Sequence, residues 1–141
     1  MKTTHKSPRI EQLIADCQGF QLPAHYLGYF KCFDAELYYE AHDVLEELWL
    51  NSQGGDYFFY KGLIQVAGAF VHLQKNRIKP AAALFRSSRR YLLPFCPNYL
   101  ALEVKALLEM CAPYQKMSEE TEKNSLVELG VPVFSQWLKI N

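Results

Sequence analysis

The chain has 141 residues with 15 basic and 15 acidic side chains, so it carries no net charge and no global field draws it to nucleic acid or to an acidic membrane. Half of the residues are hydrophobic and 14% are aromatic, which excludes a disordered chain and suffices for the core of one domain. The four cysteines, Cys17, Cys32, Cys96 and Cys111, are scattered singly, which excludes zinc-ribbon spacing.

Such cysteines read as small buried hydrophobes in a reducing compartment, with a Cys17–Cys32 bridge as the alternative. The opening residues, MKTTHKSPRI, lack the apolar stretch of a secretory leader, and no run approaches the ~20 apolar residues of a membrane span. The expectation is a cytoplasmic protein with no membrane association.

In chain order, residues 1–7 are polar and expected to be disordered. Ser7-Pro8 then has the form of an N-cap followed by proline at the first helical position, opening a short helix through Ile10, Leu13, Ile14 and Cys17 that ends at Gly19. Pro23 opens a second helix with Tyr26, Leu27, Phe30 and Phe33 on its apolar side, and Asp34-Ala35-Glu36 forms a turn or cap. A third helix spans Leu37 to Leu50. The Gly54-Gly55 turn follows, with Asp56 as N-cap of a fourth helix from Tyr57 to Lys75. Pro80 opens a fifth that reaches Leu93, where Pro94 and Pro97 end it. A sixth runs from Tyr99 to Cys111 and closes at Pro113, and Val133–Leu138 adds a last amphipathic turn.

Little β-branched alternation is present, so the fold class is all-α. Phe33, Ala41, Val44 and Leu45 match Leu73, Ala81, Leu84 and Phe85 in character at an offset of 40 residues. Each set spans a helix end, a turn and the next helix. The pattern predicts a bundle of two antiparallel, tetratricopeptide-like helical hairpins in a single domain, with N- and C-terminal helices added.

On the third helix, Leu37, Tyr38, Ala41, Val44, Leu45, Leu48 and Trp49 share one broad apolar arc. Glu36, Glu40, Asp43 and Glu47 form a stripe expected to be solvated. His42 and Glu46 are i, i+4 neighbours at the edge of the apolar arc. The fourth helix is apolar nearly all round, except for a narrow stripe with Gln65 and His72 among Gly62, Gly68 and Ala69. Small residues let another backbone approach, and the two polar side chains then need partners, with His42 and Glu46 on the preceding helix as the nearest candidates.

At these residues the sequence resembles a known family. The run FDAELYYEAHDVLEELWL, Phe33 to Leu50, and the run FFYKGLIQVAGAFVHL from Phe58 resemble the DUF309 family, a domain of unknown function. Its pattern F-[EY]-A-H-E-x-L-E-x-x-W falls here on Tyr39, Glu40, Ala41, His42, Asp43, Leu45, Glu46 and Trp49. Its second block falls on Gly62, Leu63, Ile64, Gln65, Ala67, His72 and Leu73. Asp43 replaces the usual glutamate, and Lys75-Asn76 stands where a glycine-asparagine turn is usual. The resemblance extends from Phe33 to Leu93, leaves residues 95–141 uncovered, and implies a helical bundle but no activity.

The polar group of Glu40, His42, Glu46, Gln65 and His72 admits three readings: a hydrogen-bond network fixing how two core helices meet, a metal site, or a small-molecule pocket lined also by Tyr38 and Trp49. Glu40 and His42 diverge by about 200° on a helix and cannot share one ion, so His42, Glu46 and His72 remain as conceivable ligands for a divalent metal. No nucleophile, phosphate loop or paired catalytic acid marks a reaction, and no cofactor is predicted. Residues 34–60 hold seven acids and no lysine or arginine, whereas residues 73–102 hold six basic residues and no acid: Lys75, Arg77, Lys79, Arg86, Arg89 and Arg90. The simplest account is mutual neutralisation of neighbouring hairpins, with Arg86 able to pair with Glu46. The functional account is an interaction surface for an acidic partner or a second copy. RNA is not favoured, because only Phe85 and Tyr91 accompany the basic residues. The leading expectation is a binding or protein-interaction module able to form a homo-oligomer. The runner-up is a metal- or ligand-dependent small enzyme using His42, Glu46 and His72.

Overall fold

The computed structural model describes residues 8–139, so the expected disorder of residues 1–7 and the Ser7 cap lie outside the described residues. The helices are α1 (Pro8–Leu13), α2 (Ala24–Asp34), α3 (Tyr38–Trp49), α4 (Gly54–Gln74), α5 (Ile78–Leu92), α6 (Val104–Glu120) and α7 (Ser125–Leu129). The fold is all-α, as predicted; the exception is a two-residue antiparallel pair, β1 (Asn98–Tyr99) with β2 (Leu102–Glu103). Among the described residues, no helix is long and apolar enough to cross a membrane.

The 40-residue repeat is visible in the backbone. At the end of α2 the Glu36 amide donates to the Phe33 carbonyl and the Leu37 amide to the Cys32 carbonyl. At the end of α4 the Asn76 amide donates to Leu73 and the Arg77 amide to His72. Both are Schellman turns, and their pivot residues, Glu36 and Asn76, have φ of 65° and 57°. Two equivalent turns therefore set α3 against α2 and α5 against α4. The Gln74 side chain ties one turn to the other by donating to the Glu36 carbonyl at 3.0 Å.

Around α4 the core closes on most sides. Phe59, Leu63, Val66, Ala67 and Phe70 are fully buried. The Tyr29 hydroxyl on α2 donates to the Leu63 carbonyl at 2.6 Å, which satisfies a buried hydroxyl and pins α2 across the middle of α4. α5 comes close because Gly62 lacks a side chain: a Cβ there would stand 2.7 Å from Leu92. The C-terminal segment completes the core. Phe134 stacks on Phe33 with centroids 3.5 Å apart, and the Asp34 carboxylate accepts from the Phe134 amide at 2.7 Å.

Several boundaries differ from expectation. α4 begins at Gly54, where φ is 65°, so Asp56 is already inside the first turn and its carboxylate accepts from Tyr99 instead of capping. α5 begins at Ile78, directly after the Schellman turn, so Pro80 falls in its first turn. α6 begins at Val104 because residues 98–103 make the β pair, and it continues through Pro113 to Glu120. Buried Leu107, Leu108, Cys111, Tyr114 and Ser118 lie on both sides of Pro113, and burying that face outweighs the one backbone hydrogen bond lost at proline. All four cysteines are free, so there is no Cys17–Cys32 bridge.

Glu36 is a non-glycine residue in the left-handed region with an exposed side chain, which predicts that Glu36→Gly stabilises the protein by roughly 0.5–1 kcal/mol. Thermal unfolding would show a rise of a few degrees; a fall would mean that the Glu36 side chain makes a contribution larger than its backbone strain.

Candidate functional site

α3 and α4 are antiparallel neighbours, and their register is set by three contacts. Trp49 meets Tyr57 at one end, with ring centroids 5.1 Å apart; Tyr38 meets Phe70 at 5.3 Å, and Glu36 meets Gln74 at the other end. α5 runs along the other flank of α4, with Tyr91 stacked on Phe58 and Leu84 against Gly68. Between these flanks α4 keeps one strip that the core does not cover. Phe58, Lys61, Gln65, Gly68 and His72 fall within about 80° of arc, and none of them is fully buried. They form the floor of a three-helix face, with α3 on one side and α5 on the other.

The polar atoms of this face are poorly satisfied. Trp49 Nε1, Gln65 Oε1 and His72 Nδ1 are sealed from water and have no hydrogen-bond partner. Gln65 lies about 6 Å along α4 from Lys61, beside Trp49, and His72 about 10 Å beyond Gln65. The Lys61 ammonium stands 5.6 Å from the Trp49 ring and 5.5 Å from the Tyr91 ring, bridging the two walls by cation–π contact. Burial holds the His72 imidazole below its ordinary pKa, and the charges of Arg77 and Lys75 push in the same direction.

The predicted polar constellation is only partly assembled. His42 and Glu46 are together at the edge of the face, joined by Asp43: one ligand-type atom from each of these three residues lies within 4.8 Å of the others. His42 Nδ1 is 3.2 Å from Asp43 Oδ1, and its ring stacks over Tyr39. His72 is not part of this group, because the antiparallel register carries it to the start of α3. Glu40 points to the other side of α3, where it pairs with Arg9 at 3.2 Å. Tyr38 is buried against Phe33 and Phe70 and lines no crevice. The two small residues Gly62 and Gly68 receive α5, not a polar partner from α3.

Two further expectations are corrected. Glu47, placed on the solvated stripe, is buried, and its carboxylate accepts from His25 Nε2 at 2.8 Å. The pairing was hidden because His25 is distant in sequence, and its only signal was a polar residue on the apolar side of α2. Arg86 reaches Glu119 on α6 at 3.0 Å, not Glu46. Phe85 is buried in the core and Tyr91 is half-buried against Phe58, so neither stands ready to stack on a base. An open hollow of about 300 Å³ lies elsewhere, between α6 and α7, lined by Pro113, Met117 and Leu129 among others.

Residues 26–84 match a family described as a domain of unknown function, DUF309, which bears out the resemblance of that stretch. The match covers α2, α3, α4 and the first half of α5, the elements that build the three-helix face. No curated protein and no solved structure matches the chain.

The depressed His72 pKa has a defined sign. The unfolded chain takes up the proton near pH 6.5 and the folded chain only at lower pH, so the stability is full above that value and is lost as pH falls through the window below it. His72→Gln is expected to flatten the pH dependence of urea unfolding between pH 6.5 and 5; an unchanged slope would show that the imidazole titrates freely.

Proposed function

We propose that the protein is a binding module whose contact surface is the α3–α4–α5 face. The observation that carries this reading is the pair of unpartnered polar atoms, Gln65 Oε1 and His72 Nδ1, along the single uncovered strip of an otherwise apolar α4, with Trp49 Nε1 likewise unpartnered on the neighbouring α3. An unsatisfied buried polar atom costs about 1–3 kcal/mol, and a network meant to hold two helices together would be hydrogen-bonded. Gln65 and His72 are polar on an otherwise apolar helix and their side chains are only partly buried, which fits a surface that meets a partner on another molecule. Exposed Phe58 and Tyr39 at either end supply apolar contact area.

If the atoms are unpaired in the isolated chain, Gln65→Met raises its unfolding free energy by about 1 kcal/mol. The test is chemical denaturation of the purified protein. A loss of similar size would instead identify Gln65 as part of a structural network and remove the basis for the binding reading.

A metal- or ligand-dependent small enzyme is the second reading, and the His42–Asp43–Glu46 group is what favours it. All three side chains come from one helix, so a bound cation would keep several waters. Elemental analysis of protein purified without an affinity tag distinguishes the two: stoichiometric metal, lost in His42→Ala, supports a metal centre, and metal well below stoichiometry removes it.

A further inference from the structure

The segment after α7 presents a backbone edge that the molecule leaves unused. Burial alternates along it: Val131 is exposed, Pro132 buried, Val133 exposed and Phe134 buried, the pattern of an extended chain lying on the core. In such a chain successive residues turn their N–H and C=O groups to opposite edges. The even-numbered edge faces the protein. Its Gly130 carbonyl accepts from the Tyr114 hydroxyl on α6, and its Phe134 amide donates to the Asp34 carboxylate at the end of α2. The odd-numbered edge is open. Among the described residues, the Val131 amide and carbonyl and the Val133 amide have no hydrogen-bond partner, and the Val133 carbonyl accepts only from the exposed Gln136 side chain, at 2.8 Å.

Exposed apolar side chains concentrate at the same place. Of the nine large hydrophobic residues exposed among the described residues, four fall in one seven-residue stretch: Val127, Leu129, Val131 at 45% and Val133 at 47%. No charged residue occurs from Leu129 to Leu138. An unpaired, uncharged edge carrying β-branched side chains is a ready template for another strand.

We infer that this edge pairs with the same edge of a second copy, antiparallel, about a two-fold axis beside Pro132. The inference goes beyond the binding reading above, because no residue of the α3–α4–α5 face takes part.

The sequence selects both the partner and the register. With Pro132 opposite its own equivalent, Val131 of each copy faces Val133 of the other. Each such pair exchanges two N–H to C=O hydrogen bonds, so every group left unused on the edge is bonded. Proline, which has no N–H to give, falls at the position whose backbone points away from the partner. A register centred on Val131 would set Val133 against Leu129, the last residue of α7. One centred on Val133 would set Val131 against Ser135, whose amide is already directed to Asp34. Each of these keeps one pair of valines and loses the other. No charge lies on the axis, since the segment has none and the Asp34 carboxylate is held at the other edge. The paired strands are short, but the buried Pro132 and Phe134 fasten each to its own core, and cross-strand valine pairs cover the exposed side chains. Leu129 also walls the hollow between α6 and α7 with Pro113 and Met117, so apolar surface continues past the strand and adds contact area.

Sedimentation equilibrium of the full chain at low and high salt is the test, with two double variants of the exposed valines. The wild type is expected to be a dimer whose dissociation constant does not rise with salt, because no charges meet across the axis. Val131→Lys with Val133→Lys opposes like charges in both cross-strand pairs and weakens the dimer about tenfold or more. Val131→Lys with Val133→Glu sets each new lysine opposite the new glutamate of the copy, so the dimer persists and its dissociation constant now rises with salt. Both valines are exposed, and helical circular dichroism confirms that the variants are folded. A wild type that stays monomeric at high concentration overturns the inference. So does a dimer that both variants leave intact, or one that both weaken alike, since the interface or its register then lies elsewhere. The binding reading is tested separately, because Gln65→Met does not touch this edge.

Discussion

A helix that is apolar on nearly every side can be kept from water only by being walled in, and α4 is such a helix. The arrangement of the other elements follows from that demand. α3 and α5 take its two flanks, α2 crosses it through the Tyr29 hydrogen bond to the Leu63 carbonyl, and the C-terminal segment brings Phe134 against Phe33 and Phe70. What remains is the strip from Phe58 to His72. Its polar side chains are conspicuous because everything around them is so thoroughly apolar.

Much of the fold was legible because its signals are local. Proline at the head of α2, the solid apolar run of α4 and the 40-residue repeat each follow from neighbouring residues, and the Schellman turns at Glu36 and Asn76 supply the backbone reason for the repeat. Boundaries failed where a distant partner overrode a local rule. Asp56 has the chemistry of a cap but is used by Tyr99, 43 residues away. Pro113 is a helix breaker by type, yet buried side chains on both sides hold α6 straight through it.

The site was legible to a lesser degree. Periodicity identified Gln65 and His72 as the exceptions on α4 and His42 with Glu46 as the exceptions on α3. It could not say at what height each would sit. Antiparallel packing carries His72 to the start of α3, away from His42 and Glu46, so the four residues do not meet at one point while His42 and Glu46 stay together with Asp43. Glu47 shows the same limit from the other side: its position on the helical wheel is that of a solvated acid, and only the approach of α2 with His25 makes it a buried one.

The anchoring of Phe134 has a consequence for how the chain is made. Asp34 and Phe134 are 100 residues apart, and the ring that stacks on Phe33 is synthesised long after Phe33 itself. During translation the aromatic surface of α2 and α4 therefore waits uncovered after both helices have formed, exposed to other nascent chains and to any chaperone that recognises apolar surface. The family-matched stretch, residues 26–84, ends before that covering ring appears. It is a sequence unit that depends on the residues after it to become a finished core.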